Sequence, residues 1–222
     1  MGNVICVWGD EMIQFPDPRG ASPEGIVAVG GKLDVKTLTA AYRQGIFPWP
    51  QAGLPLLWFS PDPRGVLDFS EFHVPRSLKR WARTQEQQEL PLSWSVDRDF
   101  ARVIRHCRSQ ERPGQLGTWI TTDIENAYID LFHAGFAHSV EIWQGETLVG
   151  GIYGVMVETY FSAESMFYLK PNASKVGLWR LVEWLQTCGK TWMDIQMVTP
   201  VTESFGGKLI PRDEFLKRTI SS

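Results

Sequence analysis

Three strand-like runs in close succession, at 138–144, 147–156 and 158–167, constrain the fold more than any other feature of this chain. Gly145 and Glu146 separate the first two as a hairpin turn, so the runs read as antiparallel neighbours. Helical spacing follows over 173–188, where Val176, Leu178, Trp179, Val182 and Leu185 form the apolar set. A further strand at 191–197 (TWMDIQM) comes next, then a loop and a short helix from about 212. Upstream, Pro75 opens a basic helix over 75–84 from a first-turn position. Residues 92–96 alternate as a short strand. Phe100, Val103, Ile104 and Cys107 take helical spacing over 97–109 behind Asp97 as cap. Thr122 with Glu125 predicts a capping box for a helix reaching about 134.

The first seventy residues differ. Pro16, Pro18, Pro23, Gly30, Gly31, Gly45, Pro48, Pro50, Pro55, Pro61 and Pro63 punctuate them too often for much regular structure. One helix fits at 35–44, capped by Asp34, with Leu38, Ala41 and Tyr42 on its apolar face and Gly45 as its stop. The expectation is an α+β protein. Residues 1–70 form a small irregular N-terminal domain, and residues 71–222 a domain with the strand–helix–strand order of an N-acetyltransferase-like (GNAT-like) α/β fold. Fold alone assigns no activity.

Composition excludes several classes. Hydrophobic residues at 43% and charged residues at 21% belong to a globular chain. No apolar run approaches the ~18–20 residues of a membrane span, and MGNVICVWGDEM lacks the basic and long apolar regions of a signal peptide. Cys6, Cys107 and Cys188 are odd in number and widely spaced, which reads as reduced thiols in the cytoplasm. Ten tryptophans can serve a core or an apolar substrate pocket. The net charge of −3 hides an asymmetry, because residues 76–112 hold nine Lys/Arg against five Asp/Glu. That segment is either a solvated helix face or a local polyanion site.

Familiar catalytic strings are missing. There is no GxxxxGK[ST], no GxGxxG after a strand, no GxSxG and no HExxH. Gly30-Gly31 reads as a tight turn. His73, His106, His133 and His138 lack zinc-ligand spacing, and His138 reads as a structural histidine. Acyl-CoA users of this fold need a Gly-rich turn before the helix at 173, where backbone N–H groups cradle pyrophosphate. Here the junction is YLKPNASK, without Gly and with Pro171 removing a donor. That argues against a CoA-dependent acyltransferase. Two polar insertions in apolar strands remain. If Phe161, Ala163, Ser165 and Phe167 share one face, Glu164 lies on the other with Ser162 and Met166, where a carboxylate needs a partner or a substrate. Asp194 and Gln196, two apart in a strand, point to one face and can orient an incoming amine. Alternatively they satisfy a loop or a helix end, as in a non-catalytic binding module.

Eight strings in order resemble the leucyl/phenylalanyl-tRNA–protein transferase family: GIFPW (45–49), LWFSPDPRGVL (57–67), GTWI (117–120), HSVEIW (138–143), LVGGIYG (148–154), ESMF (164–167), NASK (172–175) and DIQ (194–196). The resemblance runs from about Phe15 to Phe215. It implies transfer of Leu or Phe, less well Met, from aminoacyl-tRNA to the N-terminal Arg or Lys of acceptor proteins, marking them for N-end-rule degradation. It further implies a cytoplasmic monomer with no CoA, no metal and no membrane partner. Carried onto matching positions, it makes Asp194 and Gln196 the pair that positions the attacking amine, and Glu164 the carboxylate for a cationic substrate group. Trp49, Trp119, Phe161 and Met166 become the pocket wall, with Tyr42, Tyr128, Ile152 and Met193 as further substrate contacts. Arg76, Lys79, Arg80 and Arg83 become the tRNA-binding cations. The chain departs from the family pattern at Val201, Tyr168 and Phe59, and at Ile152, Leu181 and Leu185, which bear on amino-acid preference.

Overall fold

The computed structural model describes residues 5–7, 14–110 and 118–220, with backbone only for 5–7. Cys6's side chain and Gly117 of the GTWI string, both read above, lie outside that description, as does most of the N-terminal stretch read for a leader. The regular elements before residue 64 are β1 (Ile5–Val7), a 3-10 turn (Pro18–Gly20), β2 (Ile26–Gly30), α1 (Val35–Arg43), β3 (Phe47–Pro48) and β4 (Leu57–Phe59). They form a small sheet in the order β1-β2-β4-β3. Thus the Pro-rich segment holds more regular structure than its punctuation predicts. Its strands are only two to five residues long, and one of them, β3, ends on Pro48. Gly30 and Gly31 both take φ near +90° (88° and 87°), a conformation that glycine adopts freely. Asp34 caps α1 as expected, accepting from Thr37 N–H at 2.7 Å.

The second sheet has seven strands in the order β11-β5-β10-β9-β8-β7-β6. Its members are β5 (Arg64–Asp68), β6 (Leu92–Val96), β7 (Ala137–Gln144), β8 (Thr147–Met156), β9 (Phe161–Tyr168), β10 (Trp192–Gln196) and β11 (Lys208–Ile210). β7, β8 and β9 form the antiparallel meander read from the sequence. The crossover helix α5 (Ala173–Thr187) returns the chain to β10, which pairs with β9 in parallel. β9 starts at Phe161, not at 158, because Val157 N–H bonds Tyr160 C=O and closes a turn there. β5 pairs with β10 and β11, so residues 64–68 belong to the large sheet.

Helices cover both faces. α2 (Arg76–Glu86) and α5 lie with one core cluster, which holds Ile142, Ile152, Phe161, Leu181 and Met193. α3 (Phe100–Ser109) and α4 (Thr122–His133) lie with the other, which also takes α1 and the small sheet and holds Tyr42, Trp58, Tyr128, Tyr153 and Phe167. α6 (Pro200–Glu203) and α7 (Arg212–Ile220) follow β10. Gly150 and Gly151 on β8 let helices approach the sheet closely on both faces. A Cβ on Gly150 would lie 2.6 Å from Ala173 Cβ of α5, and one on Gly151 3.2 Å from Val103 of α3.

Three caps differ from the sequence reading. Pro75 is the cap of α2, one position earlier than expected. Asp99, not Asp97, caps α3 through Arg102 N–H. Asp97 takes φ 58° and instead accepts from Ser139 N–H at 2.8 Å, with His138 Nδ1 2.7 Å away, so His138 has the structural role expected of it. Thr121, not Thr122, caps α4 by accepting from Ile124 N–H, and Glu125 pairs with Arg105 and Arg108.

Candidate active site

The site forms where three strands carry polar residues through an apolar sheet. β9 brings Ser162 and Glu164, β10 brings Asp194 and Gln196, and β5 brings Arg64. Two bulges aim them. In β9 the register steps from Gly154↔Ala163 to Tyr153↔Ser165, leaving Glu164 as the extra residue. In β10 it steps from Val66↔Asp194 to Gly65↔Gln196, leaving Ile195 extra. A bulge bends its strand and redirects side chains. Gln196 takes φ 53°, an uncommon conformation for a residue with a Cβ. Gly65 opposite it is obligatory, since a Cβ there would sit 2.8 Å from the Met197 backbone.

Asp194 is completely buried, and Arg64 is 1% exposed. They form a two-pronged ion pair, Nε to Oδ1 at 2.8 Å and Nη2 to Oδ2 at 2.7 Å. The guanidinium also donates to Gly45 C=O and lies between the rings of Phe47 and Phe215, 4.7 and 4.4 Å from their centroids. Asp194 accepts further from Gln196 N–H at 2.9 Å and from Ser162 Oγ at 3.0 Å. Its lone pairs are therefore committed within the protein. A buried carboxylate needs such a set, because an unpaired charge there is very costly.

Ser162 joins the two carboxylates. Its hydroxyl accepts from Gln196 Nε2 at 2.8 Å and can donate its one proton to Asp194 Oδ2 or to Glu164 Oε1, at 3.0 and 3.1 Å. Gln196 Nε2 also points to Glu164 Oε1 at 3.4 Å. The carboxamide nitrogen is thus turned toward Ser162 and Glu164, which leaves its oxygen as the free acceptor. Behind Glu164, the Tyr128 hydroxyl donates to Oε2 at 3.4 Å and touches the Tyr42 hydroxyl. Burial pushes the Glu164 carboxyl up to about 7, with the nearby Asp194 charge adding to the rise. Burial likewise raises the phenols of Tyr42 and Tyr128 well above their ordinary value.

Glu164 and Gln196 open onto a cavity of about 650 Å³. Trp49, Trp119 and Met166, three of the residues expected at the pocket wall, line it together with Phe47, Ile195 and Val201. Tyr42 and Tyr128 do not reach the wall but support Glu164 from behind. Like these two tyrosines, three more of the expected substrate contacts lie off the cavity wall. Phe161, Ile152 and Met193 are 0–3% exposed, absent from the cavity wall, and packed in the core on the α5 face. Within β9 the bulge splits the expected face: Phe161 and Ala163 face that core, but Phe167 faces the opposite one, so the single apolar face read from alternation does not exist. Arg76, Lys79, Arg80 and Arg83 are exposed on α2, away from the cavity wall.

The sequence reading gives Arg64 no part in the site, and it places Ser162 beside Glu164 without a role. Both stood inside or beside quoted strings, and an arginine followed by an apolar strand (RGVL) was the available signal. Among the described residues no group of three or more His, Cys, Asp or Glu is placed to hold a metal ion, and no helix is long and apolar enough to cross a membrane.

Comparison with known proteins agrees with the eight strings. The family described as leucyl/phenylalanyl-tRNA protein transferase matches residues 66–219, and the one described as its N-terminal domain matches residues 31–62. The leucyl/phenylalanyl-tRNA--protein transferase of Anaeromyxobacter sp. (strain K) is 50% identical over 204 residues, covering 92% of this chain and 85% of that protein. That of Azotobacter vinelandii is 48% identical over 214 residues, covering 96% and 92%. Solved structures are more distant. L-PGS from Bacillus licheniformis aligns at 14% identity and a TM-score of 0.44 over 80% of this chain and 58% of that one. A GCN5-related N-acetyltransferase-like protein from Streptococcus suis aligns at 14% and 0.40 over 75% and 60%. At these scores the structural likeness carries no argument. The sequence match, nearly end to end at half identity, does: the chain belongs to the leucyl/phenylalanyl-tRNA protein transferase family.

Proposed function

We propose that this chain is an aminoacyltransferase. It moves Leu or Phe, and less well Met, from aminoacyl-tRNA onto the α-amino group of an N-terminal Arg or Lys, marking the acceptor for N-end-rule degradation. It acts in the cytoplasm as a monomer, with no CoA and no metal required. The observation that carries this reading is the junction of a buried polar network with an otherwise apolar cavity: Glu164 and Gln196 face the space that Trp49, Trp119 and Met166 line.

The aminoacyl ester is already activated, so the site must supply proximity, orientation and a neutral amine more than a nucleophile of its own. The acceptor nitrogen forms the new C–N bond while the C–O bond to the ribose breaks. The amine proton ends on the released ribose hydroxyl. Gln196 is an amide and a very weak base, so its free oxygen orients an amine N–H and leaves the lone pair facing the ester carbon. Asp194, with its lone pairs committed to Arg64, Ser162 and Gln196 N–H, is a positioning residue. Glu164 pairs with the acceptor's cation. The apolar wall takes the Leu or Phe side chain and refuses a charged one, which it cannot solvate. Arg76, Lys79, Arg80 and Arg83 recur at i, i+3, i+4 and i+7 on α2, exposed and without an ion pair among the described residues. Arg76 and Lys79 crowd the positive end of the helix, where cations are disfavoured, a cost that phosphate contacts would offset. Incubation with an Arg-started peptide and Leu-tRNA, Asp-tRNA or acetyl-CoA tests the reading. Leu transfer alone is expected, and acyl transfer from acetyl-CoA, or of Asp at a comparable rate, would contradict it.

A further inference from the structure

The NASK string, residues 172–175, takes no part in the chemistry above, yet Asn172, Ser174 and Lys175 line the cavity. They form the start of the 15-residue helix α5. Asn172 takes φ 68° and makes no side-chain cap bond. Pro171 has no N–H, and Ala173 N–H is used by Lys170 C=O. The amides of Ser174 and Lys175 donate to no group among the described residues. First-turn amides carry the positive end of a helix dipole. Two side chains give this end a purpose. Ser174 is 6% exposed and faces the cavity, and its hydroxyl meets no hydrogen-bond partner among the described residues. The hydroxyl opens onto the cavity, where it can meet a ligand atom. The Lys175 ammonium lines the same wall, without an ion pair among the described residues.

The cavity therefore has two poles. Glu164 is the carboxylate in its wall and Lys175 the ammonium. An aminoacyl nucleotide meeting an amine is polar in the matching sense, with an ammonium at the reacting end and a phosphate on the far side of the ribose. We infer that the first turn of α5, through Ser174, Lys175 and their backbone N–H groups, binds the phosphodiester joining the terminal nucleoside of the aminoacyl-tRNA to the rest of the strand. The inference rests on the reading of the cavity under Proposed function. A phosphate oxygen only accepts hydrogen bonds, and the two amides and the ammonium only donate. The hydroxyl, able to do either, donates here.

The test uses leucine joined by a stable amide to 3′-amino-3′-deoxyadenosine, with either a 5′-hydroxyl or a 5′-phosphate. Calorimetric titration at low ionic strength measures both compounds on the full chain. The phosphate is expected to tighten wild-type binding about tenfold or more, the strength of charge-assisted hydrogen bonds. Lys175→Gln should remove most of that gain and Ser174→Ala part of it. Lys175→Arg should keep it, and so should Lys36→Gln, at an exposed cation outside the cavity. Equal wild-type affinity for the two compounds, or an undiminished gain in Lys175→Gln, overturns the phosphate site and leaves the nucleoside pocket standing. If neither compound binds, the phosphate site falls together with the reading of the cavity.

Discussion

Replacing Arg64 with Met should be the most damaging single change near the site, although Arg64 does not line the cavity. Methionine fills the slot between Phe47 and Phe215 but leaves Asp194 without the two bonds at 2.8 and 2.7 Å. Asp194 is 0% exposed and cannot recover solvent. Only Ser162 Oγ and Gln196 N–H remain to it. Removing one partner of a buried ion pair costs about 3–5 kcal/mol, because the orphaned charge stays buried. With a urea slope of about 2–3 kcal/mol/M, the unfolding midpoint falls by about 1–2.5 M. Arg64→Lys keeps the charge but not the planar fork, and should lose less. Adding Asp194→Asn to Arg64→Met removes the stranded charge and should restore part of the midpoint, which a double-mutant cycle reads directly. Equilibrium urea unfolding followed by tryptophan fluorescence measures wild type, Arg64→Met, Arg64→Lys, Asp194→Asn and the double variant. A wild-type midpoint in Arg64→Met, or a double variant less stable than either single one, would refute this reasoning.

Two further predictions concern charge. Glu164 holds its proton more tightly in the folded chain, near 7 against an ordinary 4.5. Its contribution to stability is therefore complete below about 4.5 and lost as pH rises through about 7. Glu164→Gln should flatten stability against pH over that window. It should also abolish the extra fall in kcat/KM for an Arg-started peptide below pH 7, and an unchanged profile would remove Glu164 from acceptor binding. On α2, Lys79, Arg80 and Arg83 changed together to Ala should weaken tRNA binding and lower its log–log salt slope by roughly one unit per lost phosphate contact. An unchanged slope would place the tRNA on another face.

Much of the architecture was legible because periodicity carried it. The meander, the α5 crossover and β10 all lie where runs of apolar residues placed them. What was not legible came from breaks in that periodicity. Alternation in FSAESMF puts Phe161 and Phe167 on one face, but the bulge at Glu164 sends them to opposite cores. Asp194 and Gln196 do converge, through Ser162 and a bulge at Ile195 and not by simple two-residue spacing. Arg64 was passed over because arginine in a strand reads as a surface residue until its partner, 130 positions away, is known. Asp97 and Asp99 compete for the same cap, and only the contact of Asp97 with β7 decides between them. The small sheet was missed because its strands are held by pairing across the segment and not by any run long enough to notice.

The central claim is that Gln196, held by Ser162 and by Asp194 with its Arg64 partner, orients the attacking amine. Single-turnover transfer from pre-bound Leu-tRNA to an Arg-started peptide tests it without interference from tRNA binding or product release. Gln196→Ala should slow the transfer step by about one to three orders of magnitude while tRNA affinity stays near wild type, because proximity persists and orientation is lost. Transfer at the wild-type rate in Gln196→Ala would contradict the claim, leaving the network structural and the proton in the care of the tRNA's own ribose hydroxyl.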